Sequence, residues 1–256
     1  RQRQQRSGPH PHRPPLIGDR DILTGRTVCH SSVGASLVGS RLCEKACAVI
    51  VEHRSVRIVS ITRVWGVYIE KGKIYETHRE VMLPLKDLKN WHRQQMRCLA
   101  MSGIDLFAFE TIPSQKEAEA LVLLLREFPN LKAWLSYSCK DIFSTSYGDK
   151  FKEAVKIGMG LDQLVAVGVN CCAPNLVSPL LMSANQNQDP KTGWIVYPNT
   201  GEEWNHEFGW QGRGAEKHIL DSVQEWINLG AKWIGGCCRT TPSDIESLRQ
   251  CLRPAT

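Results

Sequence analysis

The 256-residue sequence lacks any apolar run near the ~20 residues that a membrane span requires. No charged segment followed by an apolar stretch opens the chain, so a secretory signal is not predicted. Apolar residues make up 42% and charged residues 23% of the chain, which excludes a wholly disordered, collagen-like or coiled-coil protein. We therefore expect a soluble, cytoplasmic protein with no membrane partner and with one full-sized domain or two small ones.

The main part of the chain also lacks an excess of basic residues. Residues 1–63 carry ten Arg and one Lys against four acidic residues, a balance of +7, whereas the rest of the chain carries −1. Residues 1–15 contain no Phe, Trp or Tyr on which a nucleic-acid base could stack. We interpret residues 1–15 as a disordered basic tail and expect no nucleic-acid partner.

From residue 56 onward, apolar segments typical of strands alternate with segments of helical period. The predicted strands are 56–62, 104–109, 131–137, 164–170, 194–197 and 232–235. The predicted helices are 84–102, 114–128, 151–158, 176–183, 214–229 and 243–251. Ser114 and Ser243 are predicted N-caps, with Glu117 and Glu246 completing capping boxes.

This alternation, with uniformly apolar strands, indicates an α/β fold in which helices cover a parallel sheet. Either a doubly wound sheet or a (β/α)8 barrel of the TIM type is compatible with it. Residues 16–56 form an irregular N-terminal segment without clear period, in which we predict no element. A barrel would therefore have its first two β/α units missing or unrecognisable.

Ten cysteines stand out, and two pairs are adjacent: Cys171–Cys172 and Cys237–Cys238. Each pair follows a predicted strand, and the carboxyl ends of parallel strands share one edge, so three thiolates could meet there. We expect Gly235 and Gly236 to give the second pair the backbone freedom it needs. A three-cysteine zinc site leaves a fourth position open for a substrate. Buried structural cysteines are the alternative.

Glu110 follows the apolar strand predicted at 104–109. A carboxylate there could bind an amino group or act as an acid or base. The alternative is a carboxylate that caps a helix or forms an ion pair. Asn170 ends the strand predicted at 164–170, and Asn199 follows the strand predicted at 194–197.

Four segments together resemble the homocysteine S-methyltransferases. They are GIDLFAFETIP (103–113), AVGVNCCAP (166–174), VYPNTGEEW (196–204) and WIGGCCRTTP (233–242). The resemblance extends from Val59 to Leu252 and implies a zinc-dependent (β/α)8 barrel, here a homocysteine-binding domain over 57–256. It implies zinc ligands at Cys171, Cys237 and Cys238, with Cys172 in a variable position.

The resemblance also implies the reaction. Zinc keeps the homocysteine sulfur as a thiolate, which attacks a methyl group on a cationic donor and gives methionine. Glu110 is the implied catalytic residue and contacts the homocysteine amino group, while Asn170 and Asn199 complete the substrate site. The chain length and the GGCCRTTP segment look more like the branch of the family that uses a sulfonium donor, S-methylmethionine or S-adenosylmethionine, than like the betaine branch. The absence of a glycine-rich nucleotide loop fits a small donor. Small-molecule substrates are thus the expected partners, and an oligomer is compatible with this interpretation.

The chain departs from the family pattern at its N-terminal end. No Asp-Gly-Gly occurs, although family members carry this turn after their first strand. Arg63, Val64 and Trp65 stand where small residues and Pro are expected. The alternative is therefore a non-catalytic or truncated zinc-binding relative without a complete substrate site. A thiol redox protein is a third hypothesis, disfavoured because no CxxC motif follows a predicted strand.

Overall fold

The computed structural model describes residues 83–158, 160–185, 192–205, 209–211 and 219–252, together with the strand backbones at 23–25, 48–51, 58–62, 67–70 and 73–76. The predicted tail at 1–15 and the segment 63–65 lie outside these residues. None of the helices in the described ranges combines the length and apolar character needed to cross a membrane.

Twelve strands and six α-helices make up the described architecture. The strands are β1 (Leu23–Gly25), β2 (Ala48–Val51), β3 (Ile58–Thr62), β4 (Val67–Glu70), β5 (Lys73–Glu76), β6 (Leu106–Ile112), β7 (Lys132–Tyr137), β8 (Leu164–Asn170), β9 (Gly193–Tyr197), β10 (Glu203–Asn205), β11 (Gly209–Gln211) and β12 (Ala231–Gly236). The helices are α1 (Leu85–Met101), α2 (Gln115–Leu125), α3 (Phe151–Ala154), α4 (Pro174–Ala184), α5 (Ile219–Asn228) and α6 (Pro242–Leu252). A 3-10 helix, Val155–Gly158, continues α3.

The main sheet has the strand order β1-β2-β12-β9-β8-β7-β6-β3. Six strands of this sheet run parallel: β3, β6, β7, β8, β9 and β12. This confirms the predicted α/β class. All six predicted strands are present. The largest difference is at the strand predicted for 104–109, which continues to Ile112 and so contains Glu110.

The segment 16–56, in which no element was predicted, contributes β1 and β2. β2 pairs antiparallel with β12, where Gly235 lies opposite Val49 and Gly236 opposite Ala48, and β1 pairs antiparallel with β2. An antiparallel pair thus extends the parallel sheet beside β12. The strands are three and four residues long. β1 (LTG) has no apolar pattern, whereas β2 (AVIV) is a short apolar run that is compatible with a buried strand.

Local sequence explains most helix boundaries. Ser114 caps α2 as predicted, since its Oγ accepts a hydrogen bond of 3.2 Å from the Glu117 backbone. The prediction that Ser243 caps the last helix is wrong. Thr241 accepts from the Asp244 backbone, and the Asp244 carboxylate accepts from the Thr241 backbone, so α6 begins one residue earlier at Pro242.

The core lies on both faces of the parallel strands. Every residue of β6 and of β9 is buried, which is why these segments show no alternation of apolar and polar residues; Glu110 and Thr111 are the polar residues of β6. Trp134 of β7 and Tyr197 of β9 pack edge to face with ring centroids 6.2 Å apart. Since burying one large apolar side chain stabilises a fold by about 1.5–3 kcal/mol, this core holds the carboxyl ends of the strands firmly in place.

Candidate metal centre and substrate site

Three cysteine sulfurs meet at the carboxyl ends of β8 and β12. Cys171 Sγ lies 3.5 Å from Cys238 Sγ, and Cys237 Sγ lies 3.9 Å from Cys238 Sγ. All three sulfurs are within 4.8 Å of one another. Zinc–sulfur bonds of about 2.3 Å in a tetrahedron place sulfurs about 3.8 Å apart, so the arrangement fits a zinc ion. The structure thus brings together the three predicted metal ligands.

Two residues with positive φ redirect the chain at this site. Cys171 has φ 53° directly after β8, and Arg239 has φ 69° directly after the second cysteine pair. The amide of Thr240 donates to the carbonyl of Cys237 across 3.1 Å, which closes a four-residue turn over 237–240. Since β12 ends at Gly236, Cys237 and Cys238 lie outside the regular strand and their sulfurs can face one point.

The expected role of the glycines is only partly right. Gly236 does not lie in the left-handed region, so positive φ is not what it supplies. It supplies space, because a Cβ at Gly236 would lie 2.3 Å from Cγ2 of Thr240. Glycine is therefore required there for the close approach of the 237–240 turn.

The pKa of Cys238 reflects its two neighbouring thiols. Hydrogen bonds with Cys171 and Cys237, followed by burial, raise the pKa of Cys238 far above its ordinary value. Three neighbouring thiolates would repel one another in a buried site, and a divalent cation is the natural compensation. This donor set is therefore better suited to a metal than to a free reactive thiolate.

Cys172 and Cys139 are buried near the centre but outside the three-sulfur cluster. Burial, followed by the proximity of Cys171, raises the pKa of Cys172 to about 12. Burial is also the main reason why the pKa of Cys139 is well above its ordinary value. Both side chains are therefore neutral thiols at physiological pH, and they behave as core residues.

Glu110 is 3% exposed and lies near the end of β6. The pairing of β6 with β7 is irregular between Phe109 and Ile112, where Thr111 has φ 59°. Such an irregularity re-aims the side chains beside it. Tyr197 donates a hydrogen bond of 3.2 Å to Oε2 of Glu110, so the carboxylate is held from β9.

Asn170 is fully buried and lies between Thr111, which follows Glu110, and the sulfur of Cys237. Its Oδ1 accepts from the Thr111 backbone at 2.7 Å and from the Ser136 hydroxyl at 2.9 Å. Its Nδ2 donates to Thr111 Oγ1 at 2.8 Å and lies 4.0 Å from Cys237 Sγ. These contacts are within the protein, and the role of Asn170 in substrate binding stays a prediction.

Asn199 lies in the loop that follows β9. Its backbone amide donates to the carbonyl of Cys172 at 2.9 Å, and its Oδ1 accepts from the Gly201 amide at 2.8 Å. The structure thus places Asn199 next to the cysteine pair after β8. Its predicted substrate contact stays a prediction as well.

Several residues of this site were not found from the sequence. Tyr197 accepts a hydrogen bond of 2.9 Å from Trp134 Nε1 and lies 2.6 Å from the Ser136 hydroxyl. Arg239 and Glu202 form an ion pair of 2.6 Å beside Cys238. Polar side chains within the apolar strands β7 and β9 were the signal available for Ser136 and Tyr197.

Comparison with known proteins agrees with this geometry. A family model described as homocysteine S-methyltransferase matches residues 32–252. Homocysteine S-methyltransferase 2 of Arabidopsis thaliana is 32% identical over 211 residues, covering 79% of this chain and 62% of that protein. Betaine-homocysteine S-methyltransferase of Drosophila melanogaster is 34% identical over 196 residues, covering 73% and 59% respectively.

Solved structures of the homocysteine methyltransferase MmuM from Escherichia coli share the fold. The apo form superposes with a TM-score of 0.57 and 29% identity, covering 76% of this chain and 61% of that one. The metallated form gives a TM-score of 0.54 and 32% identity, covering 66% and 52%. This chain spans about three fifths of the length of the curated relatives it matches.

Proposed function

The chain belongs to the homocysteine S-methyltransferase family, and from this premise we propose that it transfers a methyl group from a sulfonium donor to homocysteine, giving methionine. The observation that supports this most directly is the convergence of Cys171, Cys237 and Cys238 within 4.8 Å. A three-sulfur site leaves one coordination position for the sulfur of a substrate. S-methylmethionine or S-adenosylmethionine is the proposed donor.

Cys171, Cys237 and Cys238 would hold a zinc ion, whose positive charge would keep the homocysteine sulfur deprotonated at neutral pH. The homocysteine sulfur then forms a bond to the donor's methyl carbon as the bond from that carbon to the donor's sulfur breaks. The donor leaves as a neutral thioether. In-line attack requires the acceptor to be held in one orientation, which is the contribution of the protein's own residues.

Glu110 is proposed to bind the ammonium group of homocysteine. Its burial strengthens a charged contact, and the hydrogen bond from Tyr197 keeps its carboxylate in one orientation. Asn170 connects the Thr111 backbone to the region of Cys237, so the amino-group site and the sulfur site are held at a constant separation. Asn199 is proposed to contact the substrate from the loop after β9.

The order of the strands supports a barrel rather than a doubly wound sheet. Six parallel strands lie side by side in the order in which they occur in the sequence: β3, β6, β7, β8, β9 and β12. A doubly wound sheet reverses its order at a switch point, whereas a (β/α)8 barrel does not. We propose that residues 57–256 form the homocysteine-binding part of such a barrel.

Zinc content and methyl transfer are the test. We expect about one zinc per purified chain, lost in Cys171→Ala and retained in Cys98→Ala, because Cys98 is an exposed cysteine of α1. The wild-type chain is then assayed for methionine formation with S-methylmethionine, S-adenosylmethionine and betaine in turn. Turnover with betaine alone would overturn the proposed donor, and zinc binding without turnover by any donor would favour the non-catalytic relative.

A further inference from the structure

The loop 198–202 lies between the two segments that carry the metal ligands. On one side, the Asn199 amide donates to the carbonyl of Cys172 at 2.9 Å. On the other side, the Cys237 amide donates to the carbonyl of Pro198 at 2.7 Å. The loop backbone therefore links the two segments that carry the cysteines.

One side-chain contact fastens the turn to this loop. Arg239 Nε donates to Oε2 of Glu202 across 2.6 Å, and the Glu202 side chain is only 14% exposed. The Arg239 side chain is 53% exposed, so the more buried Glu202 carboxylate is the anchored partner of this charge-assisted hydrogen bond. Glu202 belongs to the loop and Arg239 to the turn, so the contact spans the boundary between them.

The turn itself is disfavoured by its sequence. The hydrogen bond from Thr240 to Cys237 places Arg239 third in the turn, with φ 69°. Turns of this geometry prefer glycine at that position, since a side chain there is disfavoured. An arginine in this place requires a compensating contact, and its ion pair with Glu202 supplies one.

We propose that Glu202 and Arg239 are positioning residues for the metal centre. Their ion pair holds the 237–240 turn against the loop 198–202 and so maintains the short distance between Cys238 Sγ and Cys171 Sγ. Neither residue is a ligand; both act through Cys238. This inference rests on the metal centre of the proposed function. It adds that the ion pair between Glu202 and Arg239 controls the affinity of that centre for zinc.

Zinc affinity is the direct readout. We expect Glu202→Gln to weaken zinc binding by about tenfold to a hundredfold, the effect usual for groups that orient metal ligands. Arg239→Gly gives the turn its preferred residue but removes the ion pair, so it should weaken binding as well. Arg239→Lys, which keeps the charge, should fall between the wild type and Arg239→Gly.

The experiment is a competition titration of the full chain with zinc against a chromophoric chelator. Cobalt substitution provides a second readout, since the sulfur-to-cobalt absorption band reports how many thiolates coordinate. Glu246→Gln is the matched control, because Glu246 lies 3.9 Å from Arg249 on α6, in an exposed ion pair of the same type. Thermal unfolding in chelator reports any general loss of stability.

Weaker zinc binding in Glu202→Gln and Arg239→Gly, with the control and the unfolding temperature in chelator unchanged, would support the proposal. Wild-type affinity in Glu202→Gln would overturn it, as would tighter binding in Arg239→Gly, because the turn alone would then control the site. Absence of zinc binding by the wild-type chain would instead overturn the proposed metal centre. The two failures are therefore distinguishable.

Discussion

The phenol of Tyr197 donates a hydrogen bond of 3.2 Å to Oε2 of Glu110, although the two residues are 87 positions apart in the chain. The same phenol oxygen accepts from Trp134 Nε1 and lies 2.6 Å from the Ser136 hydroxyl. Three strands, β6, β7 and β9, therefore determine the orientation of one carboxylate. In the proposed reaction, that carboxylate holds the amino group of homocysteine while the three cysteines position its sulfur.

Tyr197→Phe removes the donor to Glu110 without changing the packing of the ring. We expect the KM for homocysteine to rise about tenfold, in line with about 1.4 kcal/mol for a hydrogen bond to a charged group. The zinc content should stay at the wild-type level. Steady-state kinetics checks this, with Tyr137→Phe as the control, since that buried phenol donates to the carbonyl of Ala154 instead. An unchanged KM in Tyr197→Phe would mean that the Tyr197 hydroxyl does not contribute to homocysteine binding.

Zinc affinity should fall as the pH is lowered. The thiols must lose their protons to coordinate a metal, and the contacts with Cys171 and Cys237 raise the pKa of Cys238. Below that pKa, each proton displaced on binding weakens the apparent affinity by up to about tenfold per pH unit. Competition titrations between pH 6 and 8 measure the slope, and proton release into weak buffer measures the stoichiometry. A flat profile would mean that the sulfurs are not the ligands.

Cys172 should make the fold less stable at alkaline pH. Burial raises its pKa to about 12, so the folded chain keeps a proton that the unfolded chain releases above about pH 9. This contribution is fully present below pH 9 and is lost as the pH rises towards 12, by up to about 1.4 kcal/mol per pH unit. Urea unfolding from pH 8 to 10.5 should show a shallower decline in Cys172→Ala than in the wild type. An equal decline of the unfolding free energy with pH in both proteins would contradict the raised pKa of Cys172.

His92 of α1 and Glu117 of α2 form a fully buried contact of 2.9 Å between the two helices. Glu117→Ala leaves the imidazole without this partner, and we expect a loss of about 2–4 kcal/mol in the free energy of unfolding. Glu119→Ala, an exposed change on the same helix, should cost less than about 0.5 kcal/mol. Chemical denaturation measures both variants. The proposed metal site lies at the strand ends, so metal content should be unaffected.

Much of the scaffold could be read from the sequence because its strands are buried on both faces. A parallel strand covered by helices is mostly apolar, as β9 and the first four residues of β6 are, and such runs indicate the positions of the strands. Strand β1 carries no such signal, and the apolar run of β2 is only four residues long. Their place beside β12 depends on pairing with a segment that is distant in the chain. The N-cap of α6 is likewise a feature that the sequence alone does not determine. Thr241 and Ser243 are both suitable caps in sequence, and only the backbone geometry selects Thr241.

The sequence by itself determined the α/β class, the six parallel strands and the three cysteines at the strand ends, because each depends on local pattern and on the shared edge of a parallel sheet. Only the tertiary structure decided which side chains orient those groups. Tyr197 reaches Glu110, and Glu202 reaches Arg239, across elements that are far apart in the chain. A hydrogen bond of this kind depends on distances of a few tenths of an ångström between packed strands and loops, which no residue pattern encodes.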